Sequence, residues 1–374
     1  MYCPVLKIMI GFNNIIGQQK LKDYLRQTVR SERVSHTQMF LGSPGYGTLP
    51  MAIAFIRFLL CLDKQEDDAC GVCDSCQKIK KLIHPDVHFI FPTVRTKSMK
   101  SAPKSADFMH EWRKALSENP YLNDKEWFRY SGEEDKQGNI TAADCNSIIH
   151  KFNIQSSESE FKVLLLWMPA YLKKEGNILL KLLEEPPEGS IFVLIAESET
   201  DVLPTITSRS QVLRFSRIDE QAIIEALVNK KNLSHSDAAD IALAAEGDYA
   251  EALRMLETSN ESKPSGFLNW LRLCKEMKKP GYHDKLIELN KFIDQVNSWG
   301  REEQKNFLQT GLGYMRKMLP GKNDGFIPPE LRFEPEKIQA INELINKNYY
   351  FIERNANGRI LFFNLSLDIE RILN

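Results

Sequence analysis

Thr37-Gln38-Met39-Phe40-Leu41-Gly42-Ser43-Pro44-Gly45-Tyr46-Gly47-Thr48-Leu49-Pro50, followed by the apolar run Met51 to Leu60, reads as a strand, a glycine loop and a helix in succession. That order is the setting of a phosphate-binding P-loop, whose pattern is Gly, four residues, Gly, then Lys and Ser or Thr. Gly42 and Gly47 take the two glycine places, and Gly45 adds backbone freedom between them. Thr48 stands where the lysine belongs and Leu49 where the hydroxyl belongs. A neutral threonine does not neutralise phosphate, and leucine offers Mg²⁺ no ligand. Backbone amides and a helix N-terminus could still cradle an anion. Gly42, Gly45, Gly47 and Thr48 are therefore the candidates for a vestigial nucleotide site, in which ATP or ADP binding is doubtful and hydrolysis is not expected. The alternative is a glycine turn that never bound phosphate.

Outward from this loop, short apolar runs continue at Val87 to Phe91, Val163 to Leu166, Ile191 to Ile195 and Val212 to Phe215. Such continuous runs suit a parallel sheet covered on both faces. Helical patterns lie between them, at Gln18 to Arg30 and Tyr171 to Leu183, which argues for an α/β domain. In a P-loop ATPase one strand ends in a carboxylate for Mg²⁺ and the attacking water. The best candidate, Lys162 to Leu166, runs instead into Trp167-Met168-Pro169-Ala170. Two catalytic parts are missing together, which points to a fold kept without its ATPase.

The strands stop after Phe215. Residues 219–258 read as three short helices, and 260–265 as a polar linker. Beyond it, Phe267, Trp270, Leu271, Cys274 and Met277 recur at helical spacing, as do Phe307, Leu308, Leu312, Met315 and Leu319. The stretch from Pro92 to Glu160 fits neither pattern. It is expected to hold a loop and helices near 105–116 and 141–152. Its basic run, residues 95–104, suits either DNA phosphates or, more commonly, a solvated loop.

Cys61, Cys70, Cys73 and Cys76 have the spacing C-x8-C-x2-C-x2-C. Four thiolates so placed suit a closed tetrahedral Zn²⁺ site, structural rather than catalytic because no position stays open. An iron–sulfur cluster and unligated thiols are the alternatives. Cys3, Cys145 and Cys274 are isolated and read as packing residues. His84, in His84-Pro85-Asp86, reads as a turn residue rather than a fifth ligand.

Composition narrows the function. The 374 residues carry 49 Lys+Arg against 50 Asp+Glu, a net charge of −1, which argues against a basic nucleic-acid binder acting alone. No apolar run has the roughly 18–20 residues of a membrane span, and Met1 to Asn14 is too short and polar for a secretory signal. The expected compartment is the cytoplasm. Near the end of the α/β region stands Ser208-Arg209-Ser210. In multi-subunit P-loop ATPases an arginine at this place can reach a neighbour's γ-phosphate; a salt bridge or a helix-terminal cation is the plain alternative.

Together these residues resemble the delta-prime branch of the bacterial DNA polymerase III clamp-loader family, whose members are AAA+ proteins. The resemblance runs from Ile15-Ile16-Gly17-Gln18 through His36, Phe40 and the degenerate loop to the four-cysteine insert. It continues through Asn177 to Pro187 and Ser208-Arg209-Ser210. Gly247-Asp248-Tyr249-Ala250-Glu251-Ala252-Leu253 is similar to the segment that carries a lid arginine, with Ala250 in its place. Arg301 to Lys305 begins a stretch similar to the C-terminal domain.

The resemblance implies an AAA+ α/β domain (1–216) with a zinc module (61–76) and an insertion around 93–160. A helical lid (217–262) and an all-α collar domain (263–374) follow. It implies a stator without ATPase activity of its own, within the DNA polymerase III holoenzyme. Arg209, flanked by Ser208 and Ser210, would act in trans. The implied partners are gamma/tau and delta subunits, the sliding clamp and, within the assembly, primed DNA; no membrane is implied. The rival readings are an ATP-hydrolysing gamma/tau-type subunit and a zinc-dependent DNA-binding protein.

Overall fold

The computed structural model describes residues 10–95, 99, 102–132, 138–258, 266–277, 282–319, 329–354 and 356–374. Cys3, most of residues 96–101 in the basic run and the expected linker 260–265 lie outside them.

The five expected strands are all present, with bounds that move by one residue at most: β1 (Thr37–Leu41), β2 (Val87–Ile90), β3 (Lys162–Trp167), β4 (Ser190–Ala196) and β5 (Gln211–Arg214). They form one parallel sheet in the order β2-β3-β4-β1-β5. β1, β3 and β4 are buried along their whole length, which is why their sequences are apolar from Met39, Val163 and Ile191 onward, with the polar residues Thr37, Gln38, Lys162 and Ser190 confined to their starts. Alternate side chains still part to opposite faces. Phe40, Val163, Leu165 and Val193 join one core, and Met39, Leu164, Leu166 and Leu194 join the other.

Helices cover both faces. After α1 (Gln19–Arg30), the glycine loop leads into α2 (Thr48–Leu59), all of whose residues are buried. Its one charged side chain, Arg57, donates from Nη1 to the Ile10 carbonyl at 3.0 Å. The cysteine-bearing segment continues into α3 (Asp74–Lys80). Residues 93–160 hold a 3₁₀ turn at Ser105–Phe108, then α4 (Met109–Glu118), α5 (Asp124–Tyr130) and α6 (Ala142–Phe152). α5 was not expected. Its signal is the capping box of Asn123 and Glu126, in which each side chain accepts from the other's backbone N–H.

The continuous helix expected at Tyr171 to Leu183 is broken. Pro169–Leu179 is 3₁₀ with a kink at Lys173 (φ 48°, ψ −129°), and only α7 (Leu180–Glu184) is regular. Within the 3₁₀ stretch, Gly176 packs so closely that a Cβ would lie 2.8 Å from Leu203 Cδ1. α8 (Pro204–Thr207) precedes β5.

Two compact units emerge. One contains the residues up to Ile218 together with Asp248–Ala250; the other contains Asp219–Gly247 and the residues from Glu251 onward. The second is helical: α9 (Glu220–Lys231), α10 (His235–Ala244), α11 (Tyr249–Thr258), α12 (Phe267–Glu276), α13 (Tyr282–Ser298), α14 (Arg301–Met318), α15 (Pro335–Glu353) and α16 (Gly358–Leu373), with the first residues of α11 in the first unit. Its core is aromatic, with Trp270 against Phe307 at 5.5 Å and Trp270 Nε1 donating to Ser366 Oγ at 2.9 Å. The apolar series from Phe267 and from Phe307 line this core.

Candidate functional site

β1 delivers the chain to Gly42, and Pro44–Tyr46 then close into a single 3₁₀ turn. Tyr46 N–H donates to the Ser43 carbonyl (2.9 Å) and Gly47 N–H to the Pro44 carbonyl (3.1 Å). Gly47 holds φ +88°, a left-handed conformation that favours glycine. Thr48 is buried at the first position of α2, and Pro50 lies in the first turn, where no intrahelical N–H is needed. Two of the loop amides that could have cradled phosphate are thus bound within the loop.

What lies against the loop comes from far along the chain. Ser43 Oγ donates to Asp248 Oδ2 at 2.6 Å, and a Cβ on Gly45 would sit 1.7 Å from Asp248 Oδ1. Ile16 N–H donates to the Tyr121 phenol at 3.2 Å. The Tyr121 ring would meet a Gly47 Cβ at 3.3 Å and packs edge-on against Tyr249 at 5.0 Å. Ala250, at the lid-arginine place, is buried.

β3 ends in Trp167, which is buried under Trp112 (ring centroids 5.1 Å apart); Trp112 in turn stacks on Phe91 at 4.4 Å and meets Trp127 at 5.1 Å. An indole cluster therefore fills this strand end, where a P-loop ATPase carries a carboxylate. The acid just past β4, Glu197, is pushed above the usual carboxylate range by burial and then by the charges of Asp124, Asp201 and Asp248.

The four cysteines come together. The Sγ atoms of Cys61, Cys70, Cys73 and Cys76 all lie within 4.8 Å of one another; tetrahedral Zn–S bonds of about 2.3 Å require sulfurs about 3.8 Å apart. α2 ends just before Cys61, and α3 presents Cys76 one turn after Cys73. Cys70 N–H points at Cys61 Sγ (3.3 Å) and Cys73 N–H at Cys70 Sγ (3.4 Å). Burial raises the Cys61 and Cys76 thiols, whereas at Cys73 hydrogen bonds outweigh burial and leave the thiol at about 7. The donor set fits a thiophilic cation. His84 takes no part in the cluster; its Nδ1 accepts from Asp86 N–H at 3.2 Å, within the turn before β2. Cys145 and Cys274 are buried apart from the cluster.

Arg209 stands on the turn between α8 and β5. β5 runs parallel to β1, with Gln38 beside Gln211 and Leu41 beside Arg214. The glycine loop follows the last residue of β1, whereas Arg209 precedes the first residue of β5. The two therefore lie at opposite ends of the sheet, and Arg209 has no access to this chain's own loop. Its guanidinium donates to the Thr205 carbonyl (2.8 Å) and pairs with Glu184 Oε1 (2.5 Å), with the side chain 37% exposed. Ser208 Oγ and Ser210 Oγ donate to the carbonyls of Thr205 (3.3 Å) and Ile206 (2.8 Å), stiffening the turn. Glu184, Tyr121 and Asp248 are participants that spacing alone did not single out. For Glu184 the available signal was its place in Glu184-Glu185-Pro186-Pro187, at the end of a helix.

Among the described residues, no helix is long and apolar enough to cross a membrane. Known proteins resemble this arrangement. Bacillus subtilis DNA polymerase III subunit delta' is 23% identical over 278 residues, covering 69% of this chain and 71% of that protein. Bacillus subtilis DNA polymerase III subunit tau is 24% identical over 328 residues, covering 82% of this chain but 50% of that protein. A DNA polymerase III gamma subunit-related protein of Thermotoga maritima superposes with a TM-score of 0.34 and 15% identity, covering 94% of this chain and 99% of that one. The family described as DNA polymerase III, delta subunit, matches residues 17–219, more than half of the chain, and this chain belongs to that clamp-loader family.

Proposed function

We propose that this chain is a delta-prime-type subunit of a DNA polymerase III clamp loader, without ATPase activity of its own, that lends Arg209 to a triphosphate held by a neighbouring gamma/tau subunit. One observation carries the reading. The guanidinium is retained and partly exposed at the end of the sheet away from the glycine loop, while that loop lacks lysine, magnesium ligand and strand-end carboxylate together. In this reading the delta subunit, the sliding clamp and primed DNA are the further partners. The helical residues divide into a lid (217–262) and a collar (263–374), and the four thiolates hold one structural Zn²⁺. The near-neutral charge supports a scaffold rather than a lone DNA binder.

The test is reconstitution. Arg209→Ala is expected to assemble with its partners and to lower ATP turnover at the site it adjoins by about 10³-fold or more; unchanged turnover removes the role. The tau-type relatives favour an active ATPase, and Thr48 and Leu49 weigh against it. ATP turnover by the purified chain alone would decide for that alternative.

A further inference from the structure

The segment between Pro92 and Glu160 has no part in the P-loop pattern, yet it sends side chains to Ile16, Gly47, Tyr171 and the end of β3. Tyr121, on the connection between α4 and α5, takes up the Ile16 N–H and lies across Gly47. Trp112 of α4 and Trp127 of α5 bury the Trp167 end of β3. Asp124 at the start of α5 accepts from the Tyr171 hydroxyl at 2.7 Å and adds charge beside Glu197. Asp248 then places a carboxylate on the loop itself, 2.6 Å from Ser43 Oγ. A working P-loop offers phosphate a lysine and a ring of free amides. Here the Asp248 carboxylate stands against the loop at Ser43 and Gly45, and the amides of Tyr46 and Gly47 are already bonded within it.

We propose that the 105–130 insertion, through Tyr121, and the Asp248 carboxylate form an internal plug that closes the degenerate site against nucleotides. The phenol fills the space over Gly47, and the carboxylate stands at Gly45 where a phosphate would have to come. The site is held closed by the chain's own groups, with no ligand to gain or release. This deepens the non-hydrolysing reading and rests on it for the view that the loop descends from a phosphate site.

Calorimetric titration of the full chain with Mg·ADP and with inorganic pyrophosphate tests the plug. Wild type is expected to bind neither at millimolar concentration. Asp248→Ala is expected to bind pyrophosphate about tenfold more tightly or better, because a like charge at the loop is gone. Tyr121→Phe keeps the ring but removes the acceptor, so amide exchange at Ile16 is expected to accelerate while Tyr46 and Gly47 keep their rates. Micromolar binding of Mg·ADP by wild type overturns the plug and leaves the proposed function standing. Pyrophosphate binding no tighter in Asp248→Ala overturns it, as does an unchanged Ile16 exchange rate in Tyr121→Phe. ATP turnover by the pure chain overturns the proposed function instead.

Discussion

The glycine-loop end of the sheet and the arginine end are built on opposite terms. At the first, the strand end and loop are packed: Trp167, Trp112 and Trp127 are buried, Thr48 is buried, and the amides of Tyr46 and Gly47 are bonded within the loop. At the second, a cation stays on the surface, steadied by Glu184 and the Thr205 carbonyl without being enclosed. A site that must receive a ligand keeps unsatisfied donors, and one that has stopped receiving it becomes core, because a buried polar group without a partner costs about 1–3 kcal/mol. In the proposed reading, the contrast between these ends, more than either alone, is what sets a lender of charge apart from an engine.

Metal removal is expected to have the largest effect, on the fold that carries both ends. One zinc per chain is expected by elemental analysis; Cys73→Ser or chelation should lose it and destabilise the first unit by more than the roughly 2–5 kcal/mol of a core truncation. A chain free of zinc and fully stable would break the assignment. Next comes Arg209→Ala, whose expected 10³-fold loss is about 4 kcal/mol and should leave thermal stability unchanged. Trp112→Ala reverses that pattern: about 3–5 kcal/mol of stability lost in denaturant melts, with the arginine's contribution intact in whatever fraction stays folded. If Trp112→Ala proved neutral for stability, the packed end would not be core. Smallest is Glu184→Gln. It removes a pair that is partly exposed, so the cost to stability stays within about 1 kcal/mol, and turnover at the adjoining site is expected to shift only several-fold as Arg209 samples more orientations. A loss as large as that of Arg209→Ala would mean that Glu184 itself meets the partner.

How much was legible differs between these ends. β1, β3 and β4 could be read because a strand covered on both faces carries a continuous apolar run, and β2 and β5 were read from shorter runs of the same kind. The cysteine cluster could be read because its ligands lie close in sequence and their spacing is itself the geometry. The missing lysine, hydroxyl and carboxylate could be read because each has an appointed place in a short motif. The kink at Lys173 was hidden, since nothing in the local helical pattern marks it. So was the carboxylate on the glycine loop.

From residues alone came the class of sheet, the loss of the phosphate chemistry, the thiolate cluster and the candidate arginine, because all of these are local patterns of side-chain type and spacing. Only the folded chain decided what fills the emptied site and which end of the sheet the arginine occupies. Tyr121 meets Ile16 across 105 positions, and Asp248 meets Ser43 across 205. Contacts between residues so far apart leave no periodic trace in the sequence; they exist only once packing has brought the segments together.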